Sequence, residues 1–165
     1  MENNASAKFG FLELCPTDAT ENGFVGALLV VDQQGVPLEF KCTESIKPNS
    51  TQRILYGDKM KSHILAKLCG VPLLGIVTNK PTILFVSQSA FLDIRNEIDI
   101  PVLSIERAAN TEQIDTNSFS KQSHKSFPND NDALTTIPFE FELTEPFDRI
   151  NKAVEVLGKQ DTRFQ

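Results

Sequence analysis

Two carboxylates next to the most hydrophobic stretch of the sequence have the types and spacing that could support chemistry. Asp32 follows the apolar run Phe24 to Val31, and Glu39 alternates with apolar neighbours a few residues later. Acidic side chains on adjacent strands can hold Mg²⁺, because this ion prefers hard oxygen ligands on rigid elements. The pattern makes Asp32 and Glu39 candidate catalytic residues of a metal-dependent hydrolase or nuclease-like subunit. A structural role is the alternative, with Asp32 accepting hydrogen bonds from a turn and Glu39 on a solvated face.

The segment from Asn49 to Tyr56 combines residue types that suit an anion at the start of a helix. Asn49 is a good N-cap residue, and Gln52, Arg53 and Tyr56 follow it within two turns. Helix N-termini attract anions, so these four residues predict a site for a phosphate or a partner carboxylate. An anion- or nucleotide-binding regulatory module is therefore a further alternative. A capped helix whose tyrosine packs on the sheet explains the same residues without a ligand.

Cysteine and histidine show no arrangement that is typical of a metal or nucleophile site. Cys15, Cys42 and Cys69 are widely spaced, no CxxC pair occurs, and His63 and His124 are far apart in the chain. The sequence also lacks a GxSxG elbow, a Walker loop and the kinase motifs. We therefore predict three free thiols, no metal site and no cofactor.

Phenylalanine dominates the aromatic residues, with 12 copies against one tyrosine and no tryptophan. Phe119 and Phe127 lie in polar surroundings, while Phe139 and Phe141 belong to the alternating segment IPFEFEL. Isolated aromatic residues in a flexible chain often become buried when a partner binds. These four phenylalanines are the predicted partner-binding residues.

The elements that would position these residues follow from hydrophobic periodicity and turn signals. Residues 23–32 and 36–43 read as the strands of a hairpin with Gly35 in the turn, and residues 52–68 as a helix that Gly57 disturbs. Two short strands, 82–86 and 102–106, flank a short helix, which is the spacing of a right-handed βαβ unit. Residues 137–143 alternate like a strand, and a final helix follows Thr144.

These elements predict one α/β domain with a mixed sheet, α+β being the alternative fold class. Residues 9–107 form the predicted core. Residues 108–136 are rich in Ser, Thr, Asn and Asp and read as a flexible linker or insertion, while residues 137–158 form the C-terminal strand and helix.

The stretches GALLVVDQQGVPLEFKCTE and KPNSTQRILYG, with the helix that follows, resemble an uncharacterised family of small bacterial proteins. The similarity covers about a third of the chain. It implies that residues 23–75 act as one unit in a bacterial cytoplasm. It implies no activity and no functional residue.

Composition excludes some classes of function. The net charge is −6 and the pI about 4.9, which argues against bulk nucleic-acid binding and against a polybasic membrane anchor. No segment has the length of a signal peptide core or a membrane span, so we expect a cytoplasmic protein. The leading prediction is a non-enzymatic accessory or adaptor subunit that binds another protein in a bacterial complex; its oligomeric state is not predicted.

Overall fold

A six-stranded mixed sheet organises the computed structural model, which describes residues 7–17, 22–107, 119–135 and 137–160. The strands lie side by side in the order β3-β2-β1-β4-β5-β6. Strands β1, β2 and β3 form an antiparallel meander, β1, β4 and β5 are parallel, and β6 runs antiparallel to β5. The predicted mixed α/β fold is confirmed. The strands are β1 (Phe9–Pro16), β2 (Phe24–Val31), β3 (Pro37–Cys42), β4 (Ile83–Val86), β5 (Val102–Arg107) and β6 (Phe119–Ser123).

Strand β1 lies near the middle of the sheet and is covered on both faces. It pairs with β2 over its whole length and with β4 from Phe9 to Leu12. A strand that is buried on both faces reads as a continuous apolar run, as the sequence FGFLELC does. Glu13 is its only charged residue. The sequence pattern indicated an apolar segment here but did not reveal that this segment is central.

The predicted hairpin is confirmed as β2 and β3. Gly35 has φ of 82°, a left-handed conformation that glycine adopts readily, and its N–H donates to the Asp32 carbonyl at 3.0 Å. The register shifts between Val30 and Val31, which marks a bulge or local irregularity next to the turn. β3 forms one edge of the sheet.

The helix predicted over residues 52–68 is present but interrupted. Gly57 has φ of 53°, and a Cβ built there would contact nothing within 4 Å. The backbone conformation is therefore what favours glycine at this position, and the predicted disturbance of the helix at Gly57 is confirmed. The successive segments are α1 (Ser50–Tyr56), a 3₁₀ turn (Gly57–Lys59), α2 (Met60–His63), a π-helical stretch (Ile64–Gly70) and α3 (Val71–Ile76).

The predicted βαβ unit is present, although its helix has 3₁₀ geometry. Residues Ser89–Glu97 form this helix between the parallel strands β4 and β5. Phe91, Leu92 and Ile94 are buried against the sheet, which holds the short helix in place through tertiary contacts.

The segment predicted as a polar linker contains ordered structure in its second half. Residues 108–118 and 136 lie outside the described residues. Phe119–Ser123 form β6, and Pro128–Asp132 form a 3₁₀ helix. The Asp130 carboxylate connects this segment to two other elements. It accepts hydrogen bonds from Arg95 Nε of the helix Ser89–Glu97 at 2.8 Å and from the Val102 N–H of β5 at 3.2 Å.

The alternating segment at residues 137–143 lies against the sheet but is not a strand. Pro138 has no N–H to donate, and Glu140 N–H donates to the Gln33 carbonyl, which lies in the hairpin turn and not in a strand. Phe139 and Phe141 pack inward on the core, so the alternation reports burial on one side. The predicted C-terminal helix is confirmed as α4 (Glu145–Gln160), and it continues past Gly158.

The two faces of the sheet carry separate apolar clusters. The helical segments from Ser50 to Ile76 and from Ser89 to Glu97 cover one face. Helix α4 and the chain leading into it cover the other, where Phe9, Phe11 and Phe85 are fully buried. No helix within the described ranges is long and apolar enough to cross a membrane.

Candidate functional site

Glu13 is the carboxylate that the fold places beside polar groups from two other elements. It stands one residue beyond Leu12, which pairs with Val86 at the end of β4, so Glu13 is level with Ser87. Ser87 Oγ donates to Glu13 Oε1 at 2.7 Å. Asn151 of α4 brings its amide Nδ2 to 3.5 Å from Glu13 Oε2. We call Glu13, Ser87 and Asn151 the Glu13 cluster.

Packing of α4 explains why Asn151 reaches this strand. Phe147 and Ile150 are buried in the cluster of phenylalanines on the same face of the sheet. Phe147 lies edge-on to Phe11, with ring centroids 5.4 Å apart. Asn151 is one turn after Phe147 and also donates to the Phe147 carbonyl at 2.9 Å. The amide is therefore oriented by the helix that the core holds in place.

The Glu13 carboxylate is partly desolvated. Burial raises the pKa of its carboxyl above the usual value, although hydrogen bonds from Ser87, the Leu14 N–H and Asn151 act in the opposite direction. Among the described residues, no Lys, Arg or His forms an ion pair with it. A desolvated carboxylate of this kind favours binding of a proton or of a cation.

The Glu13 cluster reaches the protein surface. Glu13 and Ser87 are half-buried, and Asn151 is exposed. The cluster lies at the C-terminal end of β4 and just beyond the part of β1 that pairs with it, and open α/β sheets commonly bind ligands near the C-terminal ends of their parallel strands. Cys15, on the same face of β1, is buried, and desolvation raises the pKa of its thiol to about 12. That thiol is not an activated nucleophile.

The two carboxylates that the sequence singled out accept hydrogen bonds from backbone N–H groups. Asp32 Oδ1 accepts hydrogen bonds from the N–H groups of Gln34 and Val36, both at 2.9 Å, as the alternative assignment predicted. Glu39 Oε1 accepts from the N–H groups of Asn79 at 2.8 Å and Thr78 at 3.0 Å.

These contacts also affect charge. The Asn79 N–H is the main cause of a lowered pKa at Glu39. In the described part of the chain, no group of three or more His, Cys, Asp or Glu side chains could hold a metal ion.

The predicted anion-binding residues are engaged in capping and packing. Asn49 and Gln52 form a reciprocal capping box, with distances of 2.8 and 2.9 Å between side-chain oxygens and backbone nitrogens. Arg53 donates to the Asn22 carbonyl at 2.9 Å. Tyr56 stacks on His63, with ring centroids 4.6 Å apart. The capped helix that the sequence allowed is present, but Tyr56 stacks on His63 and not on the sheet. Anion binding by these four residues stays a prediction.

The predicted partner-binding phenylalanines occupy different environments. Phe139 and Phe141 pack against Phe9 in the core, with centroid distances of 6.2 and 5.6 Å. Phe127 lies under the Arg95 guanidinium, 3.9 Å from its ring centroid. The side chain of Phe119 lies outside what the structure describes. Partner binding by these residues stays a prediction.

Sequence reasoning missed Glu13, and a signal was available. A single charged residue in a strand that is otherwise apolar on both faces must be desolvated or functionally used. The segment FGFLELC carried this signal, but its place beside β4 depends on a pairing between residues more than seventy positions apart.

No family model matches the chain, and no curated protein matches it. Several solved structures match it at low similarity. Human ENDOV is 10% identical with a TM-score of 0.38, over 64% of this chain and 48% of that one. Endonuclease V of Ciona intestinalis in complex with an inosine-containing 23mer DNA is 8% identical with a TM-score of 0.42, over 67% of this chain and 49% of that one.

The third match is Marinitoga piezophila Argonaute in complex with a 5′ OH guide RNA, which is 15% identical with a TM-score of 0.39. This match covers 72% of the chain but only 19% of that protein. The chain thus spans about half the length of the two endonuclease V structures. No residue role is transferred from these structures.

The matched structures contradict two predictions made from the sequence. A non-enzymatic adaptor was wrong as the leading function, because the matches include endonucleases, and the metal-dependent nuclease-like alternative agrees with them better. The exclusion of bulk nucleic-acid binding is contradicted in the same way, because two of the matched structures are complexes with DNA.

Proposed function

We propose that the chain is a metal-dependent, nuclease-like hydrolase subunit in which Glu13 is the strand carboxylate. The observation that carries this proposal is the geometry of the Glu13 cluster: a half-buried carboxylate on a central strand, contacted by Ser87 just after β4 and by Asn151 of α4. This keeps the strand-carboxylate hypothesis and moves it from Asp32 and Glu39 to Glu13.

The donor set fits one hard divalent cation shared with a substrate. The cluster offers the Glu13 carboxylate as the protein ligand, held in place by hydrogen bonds from Ser87 and Asn151. Mg²⁺ is commonly held by one or two carboxylates together with substrate phosphate oxygens and water. The set does not form a closed protein cage, so the cation would be held jointly with a phosphodiester. When bound, it would supply neutralisation of phosphate charge.

The protein residues have separable tasks. Burial raises the pKa of the Glu13 carboxyl, and a bound cation would oppose this effect by favouring the ionised form, so Glu13 would serve as the ligand. Ser87 and Asn151 donate to different oxygens of Glu13 and so fix the plane of its carboxylate. They are positioning residues, and their removal should have a smaller effect than removal of Glu13.

Cleavage assays with labelled single- and double-stranded DNA and RNA, in Mg²⁺ or Mn²⁺, test the proposal. We expect metal-dependent cleavage of at least one substrate by the wild-type protein. Glu13→Gln should lower the rate by about 100-fold or more. Glu39→Gln is the matched control, because it removes a strand carboxylate at the sheet edge, and it should leave the rate unchanged.

Either of two outcomes would overturn the proposal. The first is that the folded wild-type protein cleaves none of the four substrates with either metal. The second is that Glu13→Gln cleaves as fast as the wild type. Far-ultraviolet circular dichroism of each variant, compared with wild type, separates loss of activity from loss of fold.

A further inference from the structure

A shallow groove of about 350 Å³ lies on the opposite face of the molecule from α4, between the interrupted helical segment and the 3₁₀ helix Ser89–Glu97. Tyr56, Lys59 and His63 line one side of this groove. Asp93, Asn96 and Glu97 line the other. We call it the Tyr56 groove.

Two stacked rings form part of the groove wall. The rings of Tyr56 and His63 are 4.6 Å apart and inclined by 23°. Tyr56 remains 43% exposed, so its ring presents surface to the solvent. The break at Gly57, with φ of 53°, separates α1 from the next turn and lets residues 56 and 63 meet across it.

Both acidic side chains that line the groove contact basic side chains. They therefore oppose an anionic ligand less than unpaired carboxylates would. Glu97 forms an ion pair with Lys67 at 3.1 Å. Asp93 contacts His124 Nε2 at 3.1 Å, and the Ser126 N–H donates to His124 Nδ1. Both acids in the lining therefore have partners. Lys59 is exposed beside the rings, where its ammonium can reach a ligand anion.

We infer that the Tyr56 groove binds a nucleotide unit, with the base stacked on Tyr56 and its phosphate near Lys59. Every nucleobase has a flat π-face that stacks on aromatic rings without regard to sequence. Asn96 offers both a donor and an acceptor to the polar edge of a base. The inference goes beyond the proposed function, because it concerns binding on the face opposite the Glu13 cluster and requires no cleavage.

The composition of the chain provides a site-specific probe. Tyr56 is the only tyrosine, and the chain has no tryptophan. Stacking of a base on its ring should quench the intrinsic fluorescence of the protein. We would titrate the Glu13→Gln protein with AMP, adenosine, inorganic phosphate and an oligoadenylate of about eight nucleotides, correcting for absorbance with a free tyrosine derivative.

Saturable quenching by AMP is the expected result, with weaker binding of adenosine because it lacks the phosphate. Inorganic phosphate should not quench. A free nucleotide and a nucleic-acid strand share this chemistry, and the oligoadenylate distinguishes them: tighter binding that weakens with added salt indicates a strand. Equal affinity for AMP and the oligoadenylate indicates a mononucleotide site.

Variants followed by calorimetry assign the contacts. Tyr56→Ala should weaken AMP binding by about 5- to 100-fold, and Tyr56→Phe should retain it, because stacking needs the ring and not the hydroxyl. Lys59→Ala should bring the affinity for AMP down by about 2- to 5-fold while leaving that for adenosine unchanged. Leu55→Ala is the control, because Leu55 is 79% exposed on the same helix and does not line the groove.

The inference fails if neither AMP nor the oligoadenylate quenches Tyr56 at about 1 mM, or if Tyr56→Ala binds as well as Tyr56→Phe. Absence of cleavage by wild-type protein would leave this result untouched, because the titration uses a variant that lacks Glu13. The two proposals can therefore fail separately.

Discussion

Glu13 and Glu39 are both glutamates on strands of one sheet, yet their surroundings have opposite effects on the carboxyl group. Glu13 lies on β1 near the centre, and desolvation raises its pKa. Glu39 lies on the edge strand β3, and hydrogen bonds from the backbone of Asn79 and Thr78 lower its pKa. The centre of the sheet thus keeps a carboxylate that would gain from a cation. The edge contains one that backbone donors already satisfy.

The largest expected difference between centre and edge concerns packing. Phe11 on β1 is fully buried and stacks on Phe85, with ring centroids 4.9 Å apart. Phe11→Ala should reduce the free energy of unfolding by about 3–5 kcal/mol, as expected for a large cavity in a core. Phe40→Ala on β3 should reduce it by about 1–2 kcal/mol, because Phe40 is half-buried. Urea denaturation measures both; equal losses would show that the two strands are equally embedded.

A smaller effect is expected in the pH dependence of stability. Because the pKa of Glu13 is raised on folding, its favourable contribution is present below the unfolded pKa of about 4.5 and is lost as the pH rises through the folded pKa. Glu13→Gln should therefore have a higher Tm than wild type at pH 7, and the gap should shrink toward pH 4. Calorimetric melts across this range test the sign. A lower Tm at pH 7 would mean that an unrecognised group stabilises the charged carboxylate.

The smallest expected effect belongs to Glu39. Its lowered pKa means that its stabilising contribution is present at neutral pH and is lost as the pH falls through the folded pKa. Glu39→Gln should lower the Tm slightly at pH 7 and have no effect in strong acid. The changes in Tm caused by Glu13→Gln and Glu39→Gln at pH 7 should therefore have opposite signs in the same buffer. Changes of the same sign would contradict the difference between the centre and the edge of the sheet.

Local signals in the sequence predicted the elements that depend on neighbouring residues. Gly35 predicted the hairpin turn, Gly57 the helix break, and the spacing of 82–106 the βαβ unit. The alternation at Phe139 and Phe141 predicted a strand, but this segment pairs with no strand among the described residues. Burial of every second side chain gives the same alternation of apolar and polar residues with or without a pairing partner.

Elements that depend on distant partners were not predictable in the same way. β6 is polar, with the sequence FSKQS, and its strand conformation follows from pairing with β5. The anchor at Asp130 needs Arg95, which lies 35 positions earlier. The Glu13 cluster likewise draws on three separated segments. The sequence therefore did not predict the candidate site, because its residues meet only through contacts between distant segments.

The position of β1 between β2 and β4 has a consequence for synthesis of the chain on the ribosome. The meander β1-β2-β3 can form as soon as residue 42 has emerged, but the other edge of β1 has no partner until Ile83–Val86 follow. During that interval an apolar strand edge is open to any extended peptide, including another nascent copy. A pause between these points, introduced with rare codons, should therefore raise the fraction of aggregated product, whereas a pause after residue 107 should not.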